Sequence, residues 1–480
     1  MSKLKNIVKQ LSEKDYLEIV ASLQDSNAEK SASLLKYLKE RQLSDAKIMV
    51  ELDVNPNAYY TLRSRLNEKI EDYLVKQMES PKTDLLRKVA NISEIIFTKK
   101  KTIVVATLKK LEKELLDYDL SSELIIVYKN LKKQHINTPE HYHYSQLYNK
   151  HVAYMLAIDK AESILADYFK KFGSLFLSGD ELIKTELTLL CKEIKNISHL
   201  YQSHRLYVYQ SCMTLFHRFF VEYPSKNTEE EKTEVIFEKI DEIFDTYPSD
   251  ATYHHLQIVS DYLKLCYYTE TKNTKKAEKY FEEVKDSAGI FIANYSLYTF
   301  PQMFFLYSLN KCTNPDIAKA IIEENKAIFA DFECESSDIS KFVTYNCYRA
   351  LLYFYAQKYD MSSKIINTML NDVSLKKYPE LYVETKTFQA LTYCLIDDYD
   401  LFNQLMNSIQ RQVRMLGKKR LEHITYLSKA MKTSLSTTPS RGKTAKLKML
   451  VNKINMSHIK YFSPLKLVKF DEFLMEKLSS

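Results

Sequence analysis

Few residues in this chain have the type and spacing that chemistry needs. Gly442, Lys443 and Thr444 form the end of a phosphate-cradling loop signature, in which backbone N–H groups and a lysine hold phosphates. That signature needs a glycine five positions before Gly442 and a strand in front of it. Thr437 stands there instead, and no strand is evident. Ser440 to Lys448 therefore reads as a solvated basic loop, with Arg441, Lys443, Lys446 and Lys448 as candidate contacts for nucleic acid or an acidic partner. His135, His141, His143 and His151 lie close to Glu140 and bring zinc chemistry to mind. Helical zinc ligands recur at i, i+3 or i, i+4, whereas His141 and His143 are two apart and point to different faces. The acidic runs Asp397-Asp398 and Glu229-Glu230-Glu231 fall at helix starts or turns, where carboxylates complement the helix dipole. With no GxSxG, HExxH or GxGxxG, the chain is expected to be non-enzymatic and to need no cofactor or metal.

One further pattern concerns DNA. A short helix (DAKIMVEL), a break (DVNPN) and a longer helix (AYYTLRSRLNEKIEDYLV) span about residues 45–78. A helix–turn–helix reads DNA through the first turns of its second helix, here Tyr59, Tyr60 and Arg63, with Arg65 and Lys69 beyond. Glu68, Glu71 and Asp72 follow and offset that charge.

The elements that would carry these residues are almost all helices. Glycine contributes five of 480 residues, about 1%, against roughly 7% in ordinary proteins. So little glycine leaves no material for many hairpin turns or phosphate loops. Pro139, Pro224, Pro248, Pro301, Pro315 and Pro379 fall between periodic segments, where helices start or stop. An apolar fraction of 45% supports a buried interior. Seven cysteines without CxxC spacing read as buried thiols, with Cys191, Cys212, Cys266, Cys347 and Cys394 inside apolar stripes. No leader-like apolar core opens the chain, and no run approaches the ~18 apolar residues of a membrane span. A cytoplasmic location is the expectation. The net charge of +7 is concentrated: Lys429 to Phe470 holds ten basic residues and no acidic one, leaving about −3 for the rest.

Four regions follow. Residues 1–135 form an N-terminal bundle of six or seven short helices, with Ser12 and Ser44 as N-caps and a helix over 58–78. Residues 136–250 hold two long helices, one ending at Gly173 and one running from about 179 to 223. Residues 251–435 repeat a helical hairpin. Residues 436–480 are a basic linker and a capping helix from Ser463 to Leu478.

The repeat is the strongest signal. Leu351 to Leu370 and Leu391 to Gln410 align at an offset of 40, matching Leu351 with Leu391, Tyr353 with Tyr393, Tyr359 with Tyr399, Asp360 with Asp400 and Asn367 with Asn407. An offset of 41 matches Leu265 with Leu306, Asn273 with Asn314 and Ala277 with Ala318. Units start near His199, Thr252, Tyr295, Ile339 and Pro379, and small residues (Ala277, Ala318, Ser363) near the start of each second helix would let helices approach closely. Periods of this size denote stacked helix pairs.

In Asp261 to Val284, Tyr268, Ala277 and Phe281 fall where tetratricopeptide repeats place an aromatic, a small residue and the next aromatic. Residues 252–416 thus resemble a tetratricopeptide-like array, with Leu265 where that family has glycine and a unit of about 40 residues. The resemblance implies an α-α hairpin superhelix that binds a protein or peptide, and it supplies no catalytic residue. Tyr268, Tyr307, Tyr353 and Tyr393 are the candidate groove aromatics. The expected function is a cytoplasmic scaffold or adaptor. The alternative is a transcriptional regulator whose N-terminal helices bind DNA and whose repeats sense a ligand or peptide.

Overall fold

The computed structural model describes residue 8 and residues 13–26, 28–39, 45–77, 81–222, 231–247, 251–293, 298–330, 332–435 and 440–479. The expected caps Ser12 and Ser44, the helix ends at Pro224 and Pro248, and the unit start at Tyr295 lie outside these residues. The described residues form helices joined by short turns, with no strand among them. In order these are α1 (Glu13–Asp25), α2 (Glu29–Lys39), α3 (Asp45–Glu51), α4 (Pro56–Gln77), α5 (Pro81–Ala90), α6 (Ile92–Thr98), α7 (Lys101–Asp117) and α8 (Ser121–Gln134). Next come α9 (Glu140–Ser178), α10 (Glu181–Tyr201), α11 (His204–Phe220), α12 (Thr233–Thr246), α13 (Ala251–Glu270), α14 (Thr274–Lys285), α15 (Gln302–Lys311) and α16 (Pro315–Ile328). The last are α17 (Ile339–Tyr355), α18 (Tyr359–Asp372), α19 (Pro379–Leu395), α20 (Tyr399–Leu416), α21 (Glu422–Ser434), α22 (Ser440–Asn455) and α23 (Glu472–Ser479). The fold is all-α. No helix of the described residues is long and apolar enough to cross a membrane. The chain divides into two compact units, Met1–His151 and Val152–Ser480.

In the first unit, α1 to α4 share one core: Tyr16, Ile19 and Leu23 meet Leu34, Leu35 and Leu38, then Ile48, then Tyr59, Leu66 and Ile70. A second core forms where Leu85 and Val89 meet Val104, Leu108, Leu111 and Leu115 of α7 and Leu124, Val127 and Leu131 of α8. The i, i+3/i+4, i+7 spacing puts each set on one face of its helix. Each fully buried aliphatic side chain contributes about 1.5–3 kcal/mol.

In the second unit, consecutive hairpins pack side by side in chain order: α13 with α14, α18 between α17 and α19, α19 with α20, and α21 with α22. The hairpin turns are alike in detail. Lys272, Gln357 and Asp397 adopt left-handed φ of 58°, 59° and 59°. The next N–H in each turn donates five residues back: Asn273 to Tyr268 O (2.9 Å), Lys358 to Tyr353 O (2.9 Å) and Asp398 to Tyr393 O (3.1 Å). This is the Schellman cap, usually closed by glycine. Here side-chain-bearing residues close it, which is how a glycine-poor chain makes tight helical turns. The small residues Ala277, Ala318 and Ser363 are buried. Ser362 Oγ donates to Ala350 O at 2.8 Å, so α18 approaches α17 to within one hydroxyl.

Several boundaries differ from the sequence expectation. The helix expected to end at Gly173 runs on to Ser178, and Gly179 (φ 66°) takes the capping role, donating to Leu175 O at 2.7 Å. Gly173 serves a close approach: an added Cβ would lie 2.7 Å from Ser340 Cβ and closer still to Ser340 Oγ. The helix expected over 179–223 breaks at Gln202, whose φ of 47° lets its N–H cap Ser198 O at 3.0 Å. No glycine or proline marks that break, so the sequence hid it.

The expected basic linker is largely α22. Leu447, Leu450, Val451 and Ile454 are buried at helical spacing, against α21. The expected helix from Ser463 to Leu478 is instead a 3₁₀ turn (Pro464–Leu467), an extended stretch and α23. Tertiary partners replace its helical hydrogen bonds. Tyr355 OH donates to Leu467 O and accepts from Lys469 N at 3.1 Å. Lys469 Nζ donates to the carbonyls of Leu309 (3.1 Å), Asn310 (3.3 Å) and Cys312 (3.1 Å), where the α15 dipole is negative.

Candidate partner-binding cavity

A cavity of about 430 Å³ opens between α16, the irregular segment after it, and α17. Local sequence builds its frame. Pro315 opens α16, and Asn314 Oδ1 accepts from the N–H groups of Asp316 (3.1 Å) and Ile317 (2.9 Å). Asp338 Oδ1 starts α17 by accepting from Lys341 N at 3.1 Å. Between these caps, Phe329 and Phe332 turn inward to meet Phe342 and Tyr345 of α17. The Phe329 and Tyr345 rings pack edge-on at 5.2 Å.

The polar groups sit at the rim. The Arg349 guanidinium lies 5.6 Å from the Tyr345 ring centre and donates from Nη1 to Asn346 Oδ1 at 3.4 Å. Arg349 is exposed, so its remaining donors face outward. Asn325 is held by a 2.8 Å bond from its Nδ2 to Tyr348 OH, itself 2.9 Å from Ser308 Oγ. Burial pushes the Cys334 thiol up to about 12, so it stays protonated and behaves as a small hydrophobe. An aromatic-walled pocket with a guanidinium at its mouth suits an apolar side chain beside a carboxylate or carbonyl.

Of the four candidate groove tyrosines, Tyr353 lines this cavity. Tyr268 stacks on Tyr280 (5.7 Å) beneath the Lys276 ammonium (4.7 Å). Tyr307 packs on Phe281 (4.8 Å) beside Lys311. Tyr393 is half-buried against the core. Three of the four are therefore hairpin-turn residues whose carbonyls close Schellman caps, and they do not converge on one groove. Phe329 and Phe332 went unread in the sequence because they fall in an inter-helix segment with no period, and Phe342, Tyr345 and Arg349 because their i, i+3, i+7 spacing on α17 reads as an ordinary helix face. Phe329 and Phe332 are the two aromatics between Asn314 and Asp338, too few to stand out against a chain that is 12% aromatic.

The basic candidates are scattered. Lys443 is buried with 6% exposure, and Thr444 Oγ1 donates to Ser479 Oγ at 3.4 Å, so Gly442-Lys443-Thr444 is a helix turn docked on α23 and no phosphate loop. Lys446 and Lys448 are exposed on α22, and Arg441 lies in its first turn. In the 45–78 element Arg65 and Lys69 are exposed beside exposed Glu68 and Asp72, Arg63 is half-buried, and Tyr59 is buried in the core. The helix start expected to read bases thus gives one of its two tyrosines to packing. The histidines tie helices together: His141 Nδ1 bonds Lys132 O (3.0 Å), and buried His151 lies 3.3 Å from Ser121 Oγ. Among the described residues no three His, Cys, Asp or Glu side chains converge as a metal site.

Two ionisable clusters also escaped the sequence reading. Glu384 of α19 is fully buried and holds His423 Nε2 of α21, Ser463 Oγ (2.6 Å) and Tyr461 OH (3.3 Å). It fastens the C-terminal segment to the hairpins. The nearly buried ammonium of Lys264 bonds both carboxylate oxygens of Asp241 (2.8 and 3.0 Å) and Asp261 (3.4 Å). Desolvation raises the Asp261 carboxyl to about 6. No protein-family model matches the chain, and no curated protein or solved structure does either.

Proposed function

We propose that this chain is a non-enzymatic, cytoplasmic recognition scaffold or adaptor, whose tetratricopeptide-like hairpins hold a segment of a protein or peptide partner. The observation that carries this reading is the aromatic cavity between α16 and α17 with Arg349 at its rim. Binding energy at such surfaces concentrates in a few pocketed aromatic and arginine anchors. The cavity offers five aromatic side chains (Phe329, Phe332, Phe342, Tyr345 and Tyr353), with Arg349, Lys326 and Glu333 also in its lining. The buried carboxylate of Glu384 is used structurally, bonding His423, Tyr461 and Ser463 to join the hairpins to the C-terminal segment. The regulator alternative draws less support: the exposed face of α4 mixes Arg65 and Lys69 with Glu68 and Asp72, and a phosphate-binding face needs a surplus of cations.

The test is site-specific photo-cross-linking in the native cell. A benzophenone side chain at Tyr345 should trap one reproducible partner polypeptide. The same group at exposed Glu323 on α16 should not. Arg349→Ala should cut the cross-linked yield about tenfold, the loss of one anchor. Equal products from both positions, or a yield indifferent to Arg349, overturns the assignment.

A further inference from the structure

The first unit carries a second recognition surface of different chemistry. Helices α5, α6 and α7 leave a groove of about 380 Å³ between them. Its floor is Ile92, Val104, Leu108 and Leu111, and Ile95 and Ile96 rise half-exposed as a wall. Phe97, with 89% of its surface exposed, and the exposed Ile103 are carried by the same two helices, α6 and α7, either side of their connecting turn. Scattered single apolar residues on a surface need no explanation, whereas an apolar groove whose helices also expose aromatic and aliphatic side chains suits an interaction site.

The charge around it is biased toward positive. Between Pro81 and Asp117 stand nine basic and five acidic residues, a surplus of four. Lys88 at the rim is matched, by Asp84 (3.0 Å) and Glu114 (3.2 Å). The basic side is carried by the exposed run Lys99, Lys100 and Lys101 next to Phe97 in sequence, followed by exposed Lys109 and Lys113 on α7, whereas Lys110 lies 4.0 Å from Glu114.

We infer that this groove binds an amphipathic helix of another protein whose apolar stripe is flanked by Asp and Glu. The groove walls are helices with their backbone groups already paired, so no strand edge is offered for β-augmentation. A ligand must then bring its own satisfied backbone, as a helix does, and present side chains at i, i+3/i+4 and i+7. The lysine run selects its flanks by charge and speeds encounter. The site is independent of the α16–α17 cavity, so either can fail alone.

The test uses the full chain and a displayed library of helix-favouring peptides with Leu, Ile or Phe fixed at i, i+4 and i+7 and random polar residues between. Selection should enrich Asp and Glu at the random positions. An enriched peptide, measured by fluorescence anisotropy, should lose tenfold or more in affinity on Ile95→Glu. It should lose a similar factor on Lys99→Glu/Lys100→Glu/Lys101→Glu, whose positions are all exposed and which should leave the fold intact by circular dichroism. Binding should also weaken as salt rises. No enrichment, enrichment without acidic bias, or affinity unchanged by the triple variant overturns the inference. So does triple-variant-sensitive co-sedimentation with phosphatidylserine vesicles in place of peptide binding, which would make the patch a lipid contact.

Discussion

Gly173→Ala separates two accounts of a glycine in the middle of a long helix. An alanine in an exposed or roomy helix position gains roughly 1 kcal/mol over glycine. Here the new methyl would lie 2.7 Å from Ser340 Cβ, with ordinary contact beginning at 3.4 Å, and closer still to Ser340 Oγ. The hydroxyl could swing away by giving up its 2.7 Å bond to Asp338 Oδ1, but the Cβ is fixed to the α17 backbone. The two helices would have to part by several tenths of an ångström in a core that also packs Phe172 on Phe300. Overpacking of this kind costs about 1–3 kcal/mol, which cancels or outweighs the helical gain. The expected net effect is a loss of up to about 2 kcal/mol, and no gain, in urea unfolding followed by circular dichroism. Ser340→Gly removes the obstructing Cβ. The double variant Gly173→Ala/Ser340→Gly should therefore lose at least about 1 kcal/mol less than the sum of the singles. If Gly173→Ala alone stabilises by about 1 kcal/mol and the pair is additive, the close approach of α9 to α17 is refuted.

Three further outcomes follow from the same geometry. Glu384→Ala strands the donors of His423, Ser463 and Tyr461 and should cost about 3–5 kcal/mol; trypsin should then cut at Lys460, Lys466 or Lys469 well before the hairpins, and a cost below 1 kcal/mol would contradict the fastening role. Gln357→Gly should stabilise by about 0.5 kcal/mol, because removing roughly 1 kcal/mol of left-handed strain exceeds the added freedom of the unfolded chain; a destabilised variant would mean the turn is not held at positive φ. Burial lowers the His151 imidazole to about 4 from its ordinary 6.5. Above pH 6.5 neither state is protonated there; as pH falls from 6.5 toward 4 the unfolded chain takes up a proton that the folded one refuses, so stability declines across that window. His151→Gln should flatten this decline when urea midpoints at pH 7, 5.5 and 4.5 are compared, and an unchanged slope would rule out the buried neutral ring.

Much of the architecture is legible in local residue patterns. The scarcity of glycine, the 3.6-residue periods and the offset of 40 between Leu351 and Leu391 point to helical hairpins, and both leucines are fully buried. The hairpin turns are legible in position but not in mechanism, since Lys272, Gln357 and Asp397 give no sign in sequence of a left-handed φ. The candidate cavity is barely legible. Tyr353 was found through its period, whereas Phe332, Tyr345 and Arg349 meet only because two caps aim an irregular segment at α17.

The chain's own sequence thus determined that it would be helical, where most helices would lie and which faces would be apolar, because these depend on neighbours three or four residues away. The tertiary structure alone decided that Gly173 marks a contact and not an end, and that Lys443 would be buried. It also decided that residues 463–471 would give up helical bonds for those of Tyr355, Glu384 and the α15 carbonyls. Each of these rests on contacts with other helices, and the free energy of such a contact is invisible to any pattern within one helix.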